Sequence, residues 1–181
     1  IGMQDVVEDV YLILYNPPHA KVLLTLKEIS LLKQYATNLV GIKCAGGDES
    51  WYQNRRELLK DFAVFVPGHT VVFGKPLGAD GSYSNVACLS PNGAVMIWEL
   101  IDTDIEKAKS IETRVNNFMK THIIPYASRL SNTGLDKLLA AVGDWGPVSE
   151  KVLWTYEGAS FEDVQKIKVI AKKEVPELFN D

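Results

Sequence analysis

The first half of the chain alternates short apolar β-type runs with amphipathic helical stretches, and this alternation limits the fold more than any other feature. Val10 to Tyr15, Leu39 to Lys43, Phe62 to Val66 and Gly81 to Ser84 read as strands that are apolar throughout rather than alternating. Such runs suit parallel strands covered on both faces. Between them lie Thr25 to Gln34, Asp48 to Lys60 and Thr70 to Leu77, long enough for crossover helices. Thr25 and Glu28 have the spacing of a capping box, and Asp48 suits the N-cap of the second helix. Strand and helix repeating in this way imply a parallel α/β sheet.

The pattern changes after Pro91. Helical periodicity takes over through Pro91 to Ile101, Asp104 to Thr121, Asn132 to Val142 and Phe161 to Glu174, with a loop at Gly143 to Pro147. The expected organisation is therefore an α/β region over 1–102 and a helical region over 103–181. No repeat of fixed period interrupts it.

Composition narrows the partners. At 181 residues and 46% hydrophobic, the chain is able to bury a core without metal or disulfide staples. A formal net charge of −4 with both signs interspersed argues against nucleic acid or an anionic membrane, and favours a small metabolite. Cys44 and Cys88 lack metal-ligand spacing, so neither zinc nor a disulfide framework is expected, and a reducing cytoplasm fits. No apolar run approaches the roughly 20 residues of a membrane span. The chain opens on Ile1 with its first methionine at Met3, so a natural start further upstream is one expectation.

In parallel α/β folds, functional side chains collect at the carboxyl ends of the strands. Those ends carry Tyr15, then Asn16, Pro17, Pro18 and His19; Lys43, then Cys44, Ala45, Gly46 and Gly47; Gly68 and His69; and Tyr83 with Asn85. Lys43 stands out because lysine seldom closes a buried strand. Desolvation disfavours an ammonium, and a neutral amine attacks carbonyls. A strand-end lysine also snorkels to solvent or pairs with an acid such as Asp48. Tyr15 is placed to move protons for such an amine, or to cap the sheet as a half-buried aromatic. Gly46, Gly47 and Gly68 serve turns or leave room for a substrate. His19 and His69 lack metal-ligand spacing and suit polar or substrate contacts, while His122 suits a structural place on a later helix. The Gly46-Gly47 pair lacks the spacing of a phosphate-binding loop.

Taken in order, these residues resemble the dihydrodipicolinate synthase / N-acetylneuraminate lyase family of (β/α)8 barrels. Tyr15-Asn16-Pro17-Pro18 resembles its Tyr-Asn-x-Pro motif, Gly41-Ile42-Lys43 followed by Gly47-Asp48 its Gly-Ile-Lys and Gly-Asp pattern, and Gly78-Ala79-Asp80-Gly81 the stretch before its last strand. The resemblance implies the C-terminal half, strands five to eight, of a TIM barrel followed by a helical extension. It implies that Lys43 forms a Schiff base with pyruvate or another 2-keto acid, that Tyr15 relays protons, and that Gly68, Tyr83, Asn85, Ala45 and His69 lie at the substrate pocket. It implies no cofactor, and a homo-oligomer, dimer or tetramer.

The chain also departs from the family. Ala20 stands where dihydrodipicolinate synthases carry an arginine, and His69, Thr70 and Val71 stand where sialic acid lyases supply acids. Ala45 stands where lyases often place a hydroxyl. Neither of those two substrates is therefore expected, and the sugar-acid and hydroxy-keto-acid classes stay open. A complete barrel takes about 250 residues. By resemblance, the first four strands, the carboxylate-gripping Gly-Thr-Thr loop and a second relay tyrosine fall outside the sequence. Two other readings stay open: a ligand-binding relative without turnover, and an inactive fragment.

Overall fold

The apolar runs pair into a four-stranded, all-parallel sheet in sequence order: β1 (Leu12–Asn16), β2 (Leu39–Cys44), β3 (Ala63–Val66) and β4 (Gly81–Ser82). These coordinates are a computed structural model in which residues 10–179 are described. Met3 and the outer ends of the two expected regions, 1–9 and 180–181, lie outside the described residues. The chain forms two compact units, one running through Pro67 and resuming over Phe73–Tyr83, the other comprising Gly68–Val72 and everything from Ser84 onward.

In the first unit, α1 (Leu26–Tyr35) and α2 (Glu49–Leu58) connect the strands. The capping box is present: Thr25 Oγ1 accepts from the Glu28 N–H, and the Thr25 N–H donates to Glu28 Oε2 at 2.7 Å. Asp48 caps α2 by accepting from the Trp51 N–H at 2.8 Å. Ser30 and Lys33 of α1 donate to the carbonyls of Leu58 and Lys60, tying the end of α2 to its neighbour.

The strands are not covered on both faces within this unit, which corrects the expectation drawn from their apolar runs. Ile42, Val64 and Val66 are almost fully buried with Ile29 of α1 and Tyr52 of α2. Each such side chain contributes about 1.5–3 kcal/mol by leaving water. The alternate positions Ile13 and Tyr15 are 40% and 55% exposed. A parallel strand shows opposite faces at successive residues, so helices packed on one side leave the other face open.

Boundaries moved for local reasons. The fourth strand stops at Ser82 rather than Ser84, because the Ser84 hydroxyl accepts from the Ala87 N–H and starts a five-residue helix, α4 (Asn85–Leu89), that the sequence pattern did not suggest. The predicted helix over Thr70 to Leu77 becomes a 3-10 turn at Gly68–Thr70 and a single turn, α3 (Val71–Gly74). Pro76 follows, and Gly78 takes φ +105°, a conformation side-chain-bearing residues rarely adopt. The Gly-Ala-Asp-Gly motif then has a structural use. Asp80 Oδ2 accepts from the Val64 N–H at 2.8 Å and from Arg55 at 3.0 Å, tying β3 to the strand that follows and to α2.

The second unit is helical: α5 (Pro91–Thr103), α6 (Ile105–Phe118), α7 (Asn132–Gly143) and α8 (Phe161–Glu174) follow α4. Ser90, Asp104, Ser131 and Ser160 each cap the next helix through the side chain. Ala108, Ile111, Val115 and Phe118 recur at helical spacing on α6 and are buried. That helix ends at Phe118 rather than Thr121. Met119–Ile123 widens into a π turn, and Ile124–Ser128 tightens to 3-10 around Pro125, which has no N–H to continue the ladder.

Two outcomes test this framework. Asp80→Ala leaves the Val64 N–H without its carboxylate partner and should cost about 1–3 kcal/mol in urea unfolding. Arg114 grips Glu177 through two bonds of 2.8 and 2.6 Å and holds its carboxyl below the usual carboxylate range. The stability from that lowered value is present above about pH 4.5, the ordinary glutamate value, and is lost as pH falls through the folded value. Glu177→Gln should therefore destabilise at neutral pH and flatten the acid limb of the stability curve.

Candidate active site

Strand register assembles the site. Tyr15 pairs with Lys43, Lys43 with Phe65 and Phe65 with Gly81, so four strands bring these positions side by side. Ile13, Gly41 and Ala63 form the row behind them on the same face, and Tyr83 lies two residues beyond Gly81. Lys43 Nζ sits 4.5 Å from the centroid of the Tyr15 ring and 5.0 Å from that of Tyr83. Phe65 meets Tyr83 edge-on, with centroids 5.3 Å apart and planes at 63°. The ammonium is thus held between two aromatic faces, an interaction worth about 0.5–1 kcal/mol at an exposed site.

The acid suggested as an alternative partner is committed elsewhere. The Asp48 carboxylate accepts from the Trp51 N–H and the Ser50 hydroxyl, both at 2.8 Å, and the Trp51 bond above all holds it below the usual range. Its neighbour in the turn, Gly46, has φ +79°, and a side chain there would meet the Tyr52 hydroxyl at 3.1 Å.

The Tyr-Asn-Pro-Pro motif divides between the two faces of the sheet. Tyr15 points to the open face beside Lys43. Asn16 is buried on the other, where its amide donates to the Leu24 carbonyl at 2.9 Å and accepts the Leu24 N–H at 3.1 Å. That two-way bond clamps the loop after β1 and fixes the strand end that carries Tyr15. Ala45 is exposed just past the end of β2, and His19 is exposed in the turn after β1.

The remaining candidates belong to the second unit. Gly68 is buried, and a Cβ on it would lie 1.9 Å from Ser84 Oγ, so close approach of the two backbones requires glycine there. His69 Nδ1 lies 3.3 Å from Asn85 Oδ1, and the His69 carbonyl accepts from Asn116 Nδ2 at 3.0 Å. Asn85 Nδ2 donates to Met119 Sδ at 3.5 Å. His122 stacks near Phe118 and reaches Glu174 at 3.2 Å. The structure therefore groups Lys43, Tyr15 and Tyr83 in one unit, and Gly68, His69 and Asn85 in the other. Among the described residues, no group of three or more His, Cys, Asp or Glu is placed to hold a metal ion.

Phe65 and Asn16 were not singled out from the sequence. Phe65 becomes visible only through the pairing that sets it beside Lys43. Asn16 carried a motif signal but no hint of its loop contact.

Comparison with known proteins now bears on the site. Residues 4–150 match the Dihydrodipicolinate synthetase family. The chain belongs to that family. No curated protein sequence matches this family member. Among solved structures it resembles the N-acetylneuraminate lyase of Fusobacterium nucleatum, with TM-score 0.72 and 20% identity over 96% of this chain and 58% of that one. It also resembles a catalytic lysine mutant of Ruminococcus gnavus sialic acid aldolase, with TM-score 0.77 and 16% identity over 97% and 57% of the two chains. A third is YagE, an E. coli K12 prophage protein of the dihydrodipicolinic acid synthase family in complex with pyruvate, with TM-score 0.73 and 19% identity over 97% and 60%. At these identities the likeness is one of fold. This dihydrodipicolinate synthetase family chain spans somewhat under two thirds of each of these neighbours.

The Gly68 contact yields a prediction for the second unit. Gly68→Ala forces a methyl group into Ser84 and should cost about 1–3 kcal/mol by overpacking, read as a lowered Tm.

Proposed function

We propose that this chain is the lysine-bearing part of a class I aldolase or lyase, in which the Lys43 amine condenses with the carbonyl of pyruvate or another 2-keto acid. The observation that carries the reading is Lys43 Nζ lying between the Tyr15 and Tyr83 rings on the open face of a parallel sheet. Family membership supports it, since the structural neighbours are named as lyases and aldolases and one was solved with pyruvate.

In this reading β1 to β4 are the fifth to eighth strands of a barrel. The open face of the sheet is then the barrel interior, and Lys43 stands at its mouth. The amine adds to the keto carbon, water leaves, and the protonated imine draws electrons from the bond that breaks or forms next. The Tyr15 phenol, on the neighbouring strand, moves the protons that addition and water loss require. Within the first unit, Ala45 and Tyr83 contact the substrate; for Gly68, His69 and Asn85 of the second unit the family resemblance alone supports a substrate contact. The working enzyme is a homo-oligomer in the cytoplasm. No helix of the described residues is long and apolar enough to cross a membrane.

Borohydride trapping tests the nucleophile. With pyruvate present, reduction should attach the keto acid irreversibly to the peptide containing Lys43, located by mass spectrometry. Lys43→Arg keeps the charge but offers no amine and should abolish the adduct; labelling of the arginine variant at the same level would disprove the assignment. Steady turnover of 2-keto acids would rule out a relative that only binds its ligand.

A further inference from the structure

The open face around Lys43 says something about the rest of the substrate. Among the described residues of the first unit, the strand side chains sharing that face with the amine are Tyr15, Phe65, Ile13 and Ala63, with Tyr83 just past β4. Apart from two phenol hydroxyls they present only carbon. Tyr83 is 49% exposed, so one of its surfaces is available while Phe65 supports the ring edge-on. Ala45, which follows β2, and Ala20, in the loop after β1, add no hydroxyl or guanidinium.

We propose that the site takes a 2-keto acid bearing an aryl group, with Tyr83 as the residue that sets this preference; the proposal rests on Lys43 being the imine-forming amine. When the imine forms, the Nζ–carbon bond is made, the carbonyl oxygen departs as water, and the substrate carbon is tied to a nitrogen that already lies 4.5 and 5.0 Å from two ring centroids. A substituent on that carbon then has the two aromatic surfaces within reach. An aryl group finds there the offset or edge-on geometry that aromatic pairs favour at centroid separations of about 4.5–7 Å.

The test traps the imine on the whole polypeptide. Borohydride delivers hydride to the imine carbon and water supplies the proton to nitrogen, leaving a stable secondary amine on Lys43. Graded pyruvate, phenylpyruvate and 2-keto-3-deoxygluconate are compared, each relative to its reaction with a free lysine peptide. Phenylpyruvate should half-saturate Lys43 labelling at a concentration about tenfold below that of 2-keto-3-deoxygluconate, the scale set by one or two aromatic contacts. Tyr83→Ala should collapse that ratio, and Tyr83→Phe, which keeps the ring and loses the hydroxyl, should preserve it. Equal or reversed preference in the parent protein overturns the proposal, as does a ratio unchanged in Tyr83→Ala. Failure of all three acids to label Lys43 is a different outcome, because it removes the imine-forming amine itself.

Discussion

A one-residue slip in the pairing of β1, β2 and β3 would exchange the two faces of the sheet, putting Tyr15 and Lys43 under the helices and Ile42 and Val64 in the open. The register that prevents this is therefore the constraint on which the rest depends. It is held by burial on one side: Ile42, Val64 and Val66 would lose their cover in any other alignment. The polar residues on the opposite face contribute little to that choice. They are carried into place by the apolar ones.

Several residues of the family-like motifs serve this framework. Asn16 ties the loop after β1, Asp48 caps α2, and Asp80 joins β3 to the segment that becomes β4 and to Arg55. Each satisfies backbone groups close to a strand end, where a parallel sheet passes from ladder to loop and leaves donors unpaired. The result is a short row of well-anchored strand ends beside a single amine.

The setting of Lys43 joins two physical effects. The rings of Tyr15 and Tyr83 give the ammonium a favourable place while leaving its nitrogen on the open face. One ring comes from the neighbouring strand β1 and the other from the segment just past β4. Membership of the dihydrodipicolinate synthetase family gives this arrangement a chemical context. The local geometry adds what membership does not supply, an aromatic wall next to the amine.

Much of this was legible in the chain itself. Parallel strands, the crossover helices α1 and α2, the Thr25 capping box, the Asp48 cap and the change to helices all follow from local pattern, since periodicity and capping act within a few residues. So does Lys43 as the unusual strand-end residue. The short α4, the early end of α6 and the reduction of α3 to one turn were hidden, because they arise from a single hydroxyl cap, a proline and a left-handed glycine within otherwise helical composition. The tertiary structure alone decided which face each strand leaves open, that Phe65 and Tyr83 join Tyr15 around the amine, and that Gly68 is glycine because Ser84 packs against it. Those facts depend on pairing between segments far apart in the chain, and no local pattern encodes which distant side chain will arrive as a neighbour.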